Sequence, residues 1–449
     1  MRIAKRLWKV RVARGRQAVP AAPRRWALCV GLAGLAVSCG LPAAFAQTAL
    51  TWQQVKDRFE AANPTLQAAQ INVLESKAQE VTAYLRPNPD FTAAIDQVNP
   101  FSKQPTLNGS GDAYRPFQYA LPVASANYLH ERQHKRELRR ESAQKGTAIA
   151  QSQVSDLERN LLFNLRSAFV QTLQAKALLA NAKENLDYYD QALSINRDRF
   201  RAGDISQLDL NRLVLQRVQY ESDLASAQVN LRTAKITLLT LLNSRTPVDQ
   251  MDVSGPFDFS DRVMPLEEFR MLAQDARPDL KAAVQAIDKA QTDHRLAVAN
   301  GSTDPSFGLD VSAQNPPIPA YLGFSINIPL RIFDRNQGEK TRTQIDIRRA
   351  ERARDATQAQ VFSDVDSGYY TLMSALSLLK PYKDTYLPTA TAVRDTMSFS
   401  YQRGQAALVD YLDAQRDYRA TQVAYINLVA SYLTAAAQLN LAIGREVIP

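Results

Sequence analysis

The sequence predicts a mainly α protein with a small β part, built from very long helices and duplicated within the chain. Three observations carry this. No proline lies between Pro122 and Pro247, and Ala, Leu, Gln and Arg dominate long tracts, so long unbroken helices fit there. Two glycine turns, Ala202-Gly203-Asp204 and Arg403-Gly404-Gln405, each open a heptad repeat, and the two copies superimpose when Gly203 is set on Gly404. Four short alternating stretches between the helices read as strands.

The first 46 residues read as a secretory signal. Nine basic residues and no acids occupy Arg2 to Arg25, an apolar core runs from Trp26 to Leu41, and Ala44-Phe45-Ala46 is an A-x-A cleavage site. The rival is acylation at Cys39, whose Ala-Val-Ser-Cys context is a loose match to a lipoprotein signal. Removing the signal changes two arguments. The full chain has 54 basic and 45 acidic residues, so the mature chain is close to neutral and a nucleic-acid reading loses its support. Both cysteines, Cys29 and Cys39, go with the signal, which leaves no disulfide and no thiolate chemistry.

Two repeats follow, expected at 47–255 and 256–449. Each begins with a helical pattern broken by one proline, Leu50 to Leu85 at Pro64 and Leu266 to Val298 at Pro278. Asn63-Pro64-Thr65-Leu66 matches Arg277-Pro278-Asp279-Leu280. The period then changes to two. Strands are expected at about 90–98 and 116–123 in the first copy, and at about 306–314 and 321–330 in the second. Each has one apolar face, as in a membrane barrel. Four strands cannot close a barrel, since about eight is the minimum, and open edges cannot face lipid. Several chains must therefore share one barrel.

Long helices come next. One is expected from about Ala124 to Phe200, with an interruption near Tyr188-Tyr189-Asp190. The hairpin tip is expected at about 199–210. Beyond it Leu210, Leu213, Arg217, Tyr220, Leu224 and Ala227 begin a coiled-coil seam in which only Arg217 is charged. After a linker from Pro247 to Pro265, the second copy offers Asp334 to Leu379, a break at Pro381 and Pro388, and a tip at about 400–413. Its seam carries Tyr411, Tyr418, Tyr425 and Tyr432, read as packing core rather than a binding stripe. No apolar run of 18 residues follows the signal, so no helix is expected to span a membrane.

Three constellations could carry chemistry. His130-Glu131-Arg132-Gln133-His134 is a formal H-E-x-x-H match, which on a helix would put two imidazoles on zinc. Its heavily charged flanks favour an accidental match on a solvated face. Asp209 fits a capping box with Ser206. Ala407 replaces that serine in the second copy, so Asp410 is less easily explained by capping. Asp413 lies one turn further on the same side. Around a symmetry axis, such a pair makes a negatively charged constriction.

The arrangement resembles the TolC family of outer-membrane efflux channels over nearly all of Leu50 to Gly444. The resemblance rests on the duplicated tips, Arg201-Ala202-Gly203 with Asp209-Leu210 and Arg403-Gly404 with Asp410-Tyr411-Leu412-Asp413. It rests also on Ile328-Pro329-Leu330-Arg331-Ile332-Phe333-Asp334-Arg335-Asn336-Gln337-Gly338, which looks like the strand-to-helix junction of the heavy-metal branch. The resemblance implies a homotrimer in the Gram-negative outer membrane, with a lipid-facing barrel of pooled strands and an α-helical barrel crossing the periplasm. It implies a periplasmic adaptor and an inner-membrane pump of the RND type as partners, no cofactor, and no reaction of its own. Asp410 and Asp413 match aspartate rings at the entrance, and Asp209 and Tyr401 match contacts that hold the tip shut. Gly203, Asp204, Gly404 and Gln405 are the tip turns expected to meet the adaptor. Ala406 departs from the family, where an arginine locks the closed state. Heavy-metal cations are the expected cargo. Type I protein secretion and drug efflux are the alternatives, with a periplasmic coiled-coil scaffold and a zinc protease behind them.

Overall fold

The computed structural model describes residues 49–448, apart from 102, 106–110, 118–119 and 314–319. The signal segment with Cys29 and Cys39 lies outside the described residues, as does the expected mature N-terminus at Gln47.

Each repeat opens on a helix pair. In the first, α1 (Trp52–Ala62) is started by a capping box between Thr51 and Gln54. The second helix, α2 (Pro64–Tyr84), is capped by the Asn63 side chain, which accepts the Leu66 N–H at 3.0 Å, with Pro64 in the first turn. In the second repeat α5 (Leu266–Ala276) and α6 (Pro278–Asn300) follow the same plan. The duplication extends to tertiary contacts. The Asn63 amide donates to the Leu241 carbonyl at 3.2 Å, and Arg277 donates to the Ala442 carbonyl at 3.1 Å. These are matching positions in the two copies.

Four strands form one antiparallel sheet in the order β1 (Asp90–Asp96), β4 (Leu121–Leu129), β5 (Ser306–Ser312) and β6 (Tyr321–Asn327). A two-residue hairpin, β2 (Gln104–Pro105) with β3 (Asp112–Ala113), lies in the first strand connection. The register sorts side chains by chemistry. Phe91, Ala126, Leu309 and Phe324 line up on one face, and Thr92, Ser125, Asp310 and Gly323 on the other. The apolar row stands in the open, Phe324 at 79% and Phe91 at 75% exposure, which is the pattern of a lipid-facing strand.

Two long hairpins complete the chain. In the first, α3 (Lys135–Ala202) has 68 residues, about 100 Å at 1.5 Å per residue, and α4 (Gln207–Leu241) returns along it. The second hairpin is α7 (Gln337–Pro381), a π turn at Tyr382–Tyr386, α8 (Leu387–Gln402) and the returning α9 (Leu408–Ile443). The π turn answers to Pro381 and Pro388, which remove two backbone donors. Helices pack side by side as α2-α3-α6-α7 toward the sheet and as α4-α3-α9-α8 toward the tips. One core joins α5, α7 and α9 through Phe269, Val365, Leu372 and Leu439. Gly368 permits it, since a Cβ there would stand 3.3 Å from the Leu439 Cα. A second core joins α1, α3 and α4 through Phe59, Leu165, Phe169 and Leu238.

Four expectations are corrected. The strand placed at about 116–123 is Leu121–Leu129; Phe117 sits in a turn, and residues 118–119 lie outside the described part. The Ala124-Ser125-Ala126 run reads locally as helix, but β4 has partners on both sides, and pairing overrides propensity. The long helix accordingly starts at Lys135, not near Ala124. It is unbroken at Tyr188-Tyr189-Asp190, because Tyr189 stacks on Tyr220 at 4.4 Å and Asp190 takes Arg217 at 2.5 and 2.9 Å. Finally, α9 is long and apolar enough to cross a membrane by composition. Its apolar face is instead the buried side of a bundle, including Val429, Leu439 and Ile443.

Candidate functional site

The two hairpin tips lie beside each other and are built alike. Gly203 ends α3 at φ +85°, with its N–H on the Phe200 carbonyl at 3.0 Å and the Asp204 N–H on Arg199 at 2.9 Å. Gly404 ends the second ascent at φ +73°, with its N–H on Tyr401 at 3.0 Å and the Gln405 N–H on Ser400 at 2.8 Å. Both turns need the left-handed backbone that glycine adopts without strain. Gly203, Asp204, Gly404 and Gln405 are all exposed.

Behind the turns, Tyr189, Leu193, Leu213, Tyr220, Tyr401 and Tyr411 form a small aromatic core. Tyr401 is its keystone. It is 6% exposed, stacks on Tyr411 at 5.0 Å, and donates its hydroxyl to Asn196 at 2.9 Å. Arg199 lies over its ring at 5.1 Å and donates to its carbonyl at 3.3 Å. Burial pushes the Tyr401 hydroxyl pKa up. Tyr401 thus fastens the second hairpin to the first within one chain. Asn196 and Arg199 carry this fastening, and the sequence reading did not single them out. Both lie about 200 residues from Tyr401, and no local pattern marks them.

The aspartates fall into two groups. Asp209 is tied to its own helix start: the Ser206 hydroxyl donates to it at 2.8 Å and accepts its backbone N–H at 3.1 Å. Asp410 and Asp413 stand exposed on α9, beside the face that buries Tyr411 and Ala414. The Ala407 N–H donates to Asp410 at 3.4 Å. Half of a capping box therefore survives without the serine, and capping explains Asp410 better than expected from the sequence. Asp413 lies 3.3 Å from Arg416. The tyrosine ladder is largely core, with Tyr411, Tyr418 and Tyr432 buried. Arg217, the charged seam residue, is paired by Asp190.

Residues 270–445, holding α6, β5, β6 and the whole second hairpin, match the family described as outer membrane efflux protein. The second half of the chain thus carries the outer membrane efflux protein pattern. The chain is 23% identical over 412 residues to the cobalt-zinc-cadmium resistance protein CzcC of Cupriavidus metallidurans, covering 88% of this chain and 90% of that one. It is 24% identical to the pyoverdine export outer membrane protein OpmQ of Pseudomonas aeruginosa, over 84% and 82% of the two chains. The solved structure of CusC superimposes with a TM-score of 0.72 at 18% identity, over 88% of this chain and 92% of that one. Efflux proteins of this family are channels, not enzymes. His130-Glu131-Arg132-Gln133-His134 agrees with that in its geometry. It occupies the turn between β4 and α3, where Gln133 and His134 have positive φ and Glu131 is taken by Arg139 at 2.5 and 2.8 Å. A turn does not set two imidazoles one helical turn apart.

Proposed function

We propose that three copies of this efflux protein close into one duct that passes heavy-metal cations outward, fed by a periplasmic adaptor and an RND-type inner-membrane pump. The supporting observation is a shared incompleteness. Among the described residues, the sheet ends on unpaired β1 and β6, the upper helices on α2 and α7, and the lower helices on α4 and α8. All three levels lack neighbours at two edges, so one head-to-tail contact, repeated, satisfies all of them. Four strands per chain give a twelve-strand barrel. The apolar row through Phe91 and Phe324 then faces lipid, and the helices extend into the periplasm. In this reading the repeats 47–255 and 256–449 alternate around the axis. Asp410 and Asp413 form the acidic constriction, and Asp209 and Tyr401 help hold it shut. The exposed turns at Gly203-Asp204 and Gly404-Gln405 meet the adaptor. The full-length likeness to a cobalt-zinc-cadmium resistance protein supports the metal cargo.

The mature chain lacks cysteine, which makes the test clean. Thr92→Cys on β1 and Ser325→Cys on β6, combined and treated with a bifunctional maleimide in outer-membrane fractions, should give a ladder ending at three chains. A ladder ending at two, or monomer alone, would sink the trimer. Deleting the chain from its host should raise sensitivity to cobalt, zinc or cadmium. Unchanged sensitivity removes the metal cargo while leaving the channel intact.

A further inference from the structure

Far from the tips, α1, α3 and α9 enclose a cavity of about 350 Å³. Leu162, Phe163 and Leu441 give it an apolar lining, and Trp52 and Arg166 bound it. Arg166 is half-buried. Its guanidinium carbon lies 4.6 Å from the centre of the Trp52 ring and 6.0 Å from that of Phe169. Its in-plane N–H groups have no hydrogen-bond or ion-pair partner among the described residues. Glu446, the acid that acts on it from a distance, is occupied by the Trp52 indole N–H at 2.9 Å. Arg159, also in the lining, is used up by Asp156 and the Leu441 carbonyl.

A guanidinium seated over an aromatic ring, with its N–H groups unpartnered, can make two parallel bonds to a carboxylate. The free N–H groups border a space where Leu162, Phe163 and Leu441 stand beside the charged Lys56, Glu158 and Arg445. We infer that this cavity binds an aliphatic carboxylate, with its head on the edge of Arg166 and its chain against Leu162, Phe163 and Leu441. Glu158 lines the same cavity. It stands eight residues from Arg166 on α3, about 12 Å by helical rise. Burial, with the charge of Glu60, raises its pKa, and it faces the far end of the space from Arg166.

Trp52 is the only tryptophan in 47–449, the others being Trp8 and Trp26, so its emission reports this cavity and the one on its other side that it shares with Arg166 and Phe169, and Ala437, which lines only the first, tells the two apart. Mature protein in nonionic detergent is titrated with octanoate, and with octylammonium as the charge-reversed probe. Octanoate should give a saturable change in Trp52 emission and octylammonium none. Arg166→Gln should weaken octanoate at least tenfold. Ala437→Leu, which fills the cavity from α9 and keeps Arg166, should do the same with helical content and oligomer size retained. An absent or unsaturable response, equal responses to the two probes, or an unchanged midpoint in both variants would overturn the site.

Discussion

Replacing Arg277 with alanine is expected to cost about 3–5 kcal/mol, the usual penalty for removing one partner of a buried ionic network. The guanidinium is only 4% exposed. It bonds Asp279 through two nitrogens at 2.9 and 2.6 Å, Asp364 at 2.8 Å, and the Ala442 carbonyl at 3.1 Å. Those bonds join the start of α6 to α7 and to the end of α9. Alanine would strand Asp279 in a half-buried place and leave a buried carbonyl without its donor. The measurement is the midpoint for loss of helical circular dichroism on guanidinium chloride titration in nonionic detergent. Arg201→Ala is the control, because its pair with Asp198 is exposed on both sides and such pairs contribute about 0–1 kcal/mol. If Arg277→Ala shifts the midpoint no more than Arg201→Ala, the network does not hold the second repeat together.

The second large effect concerns conduction. Asp410 and Asp413 are exposed on one side of α9, and three copies around an axis would place six carboxylates at the narrowest level. Rings of like charge attract cations and exclude anions. The double replacement Asp410→Ala with Asp413→Ala should abolish cation preference and any block by divalent cations in planar-bilayer recordings. Tyr401→Ala should act differently. It deletes a buried ring packed on Tyr411 and frees Asn196 and Arg199, a loss of about 3–5 kcal/mol at the tip. Conductance should rise while selectivity stays. Wild-type selectivity and block in the double variant would mean that the two aspartates do not line the constriction.

The architecture was legible in the sequence wherever one short stretch sufficed. Gly203 and Gly404 announce their turns because only glycine takes that backbone without strain. The tyrosines of α9 announce a buried seam by spacing alone. What was not legible depends on partners far along the chain. Ala124 to Leu129 became a strand because β1 and β5 lie on either side. The helix continues through Tyr189 because Tyr220 and Arg217 receive it from α4. At the tip, spacing drew out Asp410 and Asp413 and the family resemblance pointed to Tyr401, but the hold on Tyr401 comes from Asn196 and Arg199, some 200 residues away.

The duplicated tie at the base of each repeat has diverged so that only one of the two ties responds to acid. In the first copy, Asn63 reaches Leu241 through a neutral amide, and nothing in that bond titrates. In the second, Arg277 reaches Ala442 from within a charged cluster. Burial alone would raise the Asp279 carboxyl, but the bonds from Arg277 outweigh it and hold the pKa below its ordinary value. A depressed carboxyl stabilises the fold fully above the unfolded value of about 3.9, and that contribution disappears as pH falls through the lowered folded value. Duplicate genes commonly diverge in what they bind; here the divergence is in the joints. Around a closed ring of such chains, acid-labile joints would alternate with inert ones.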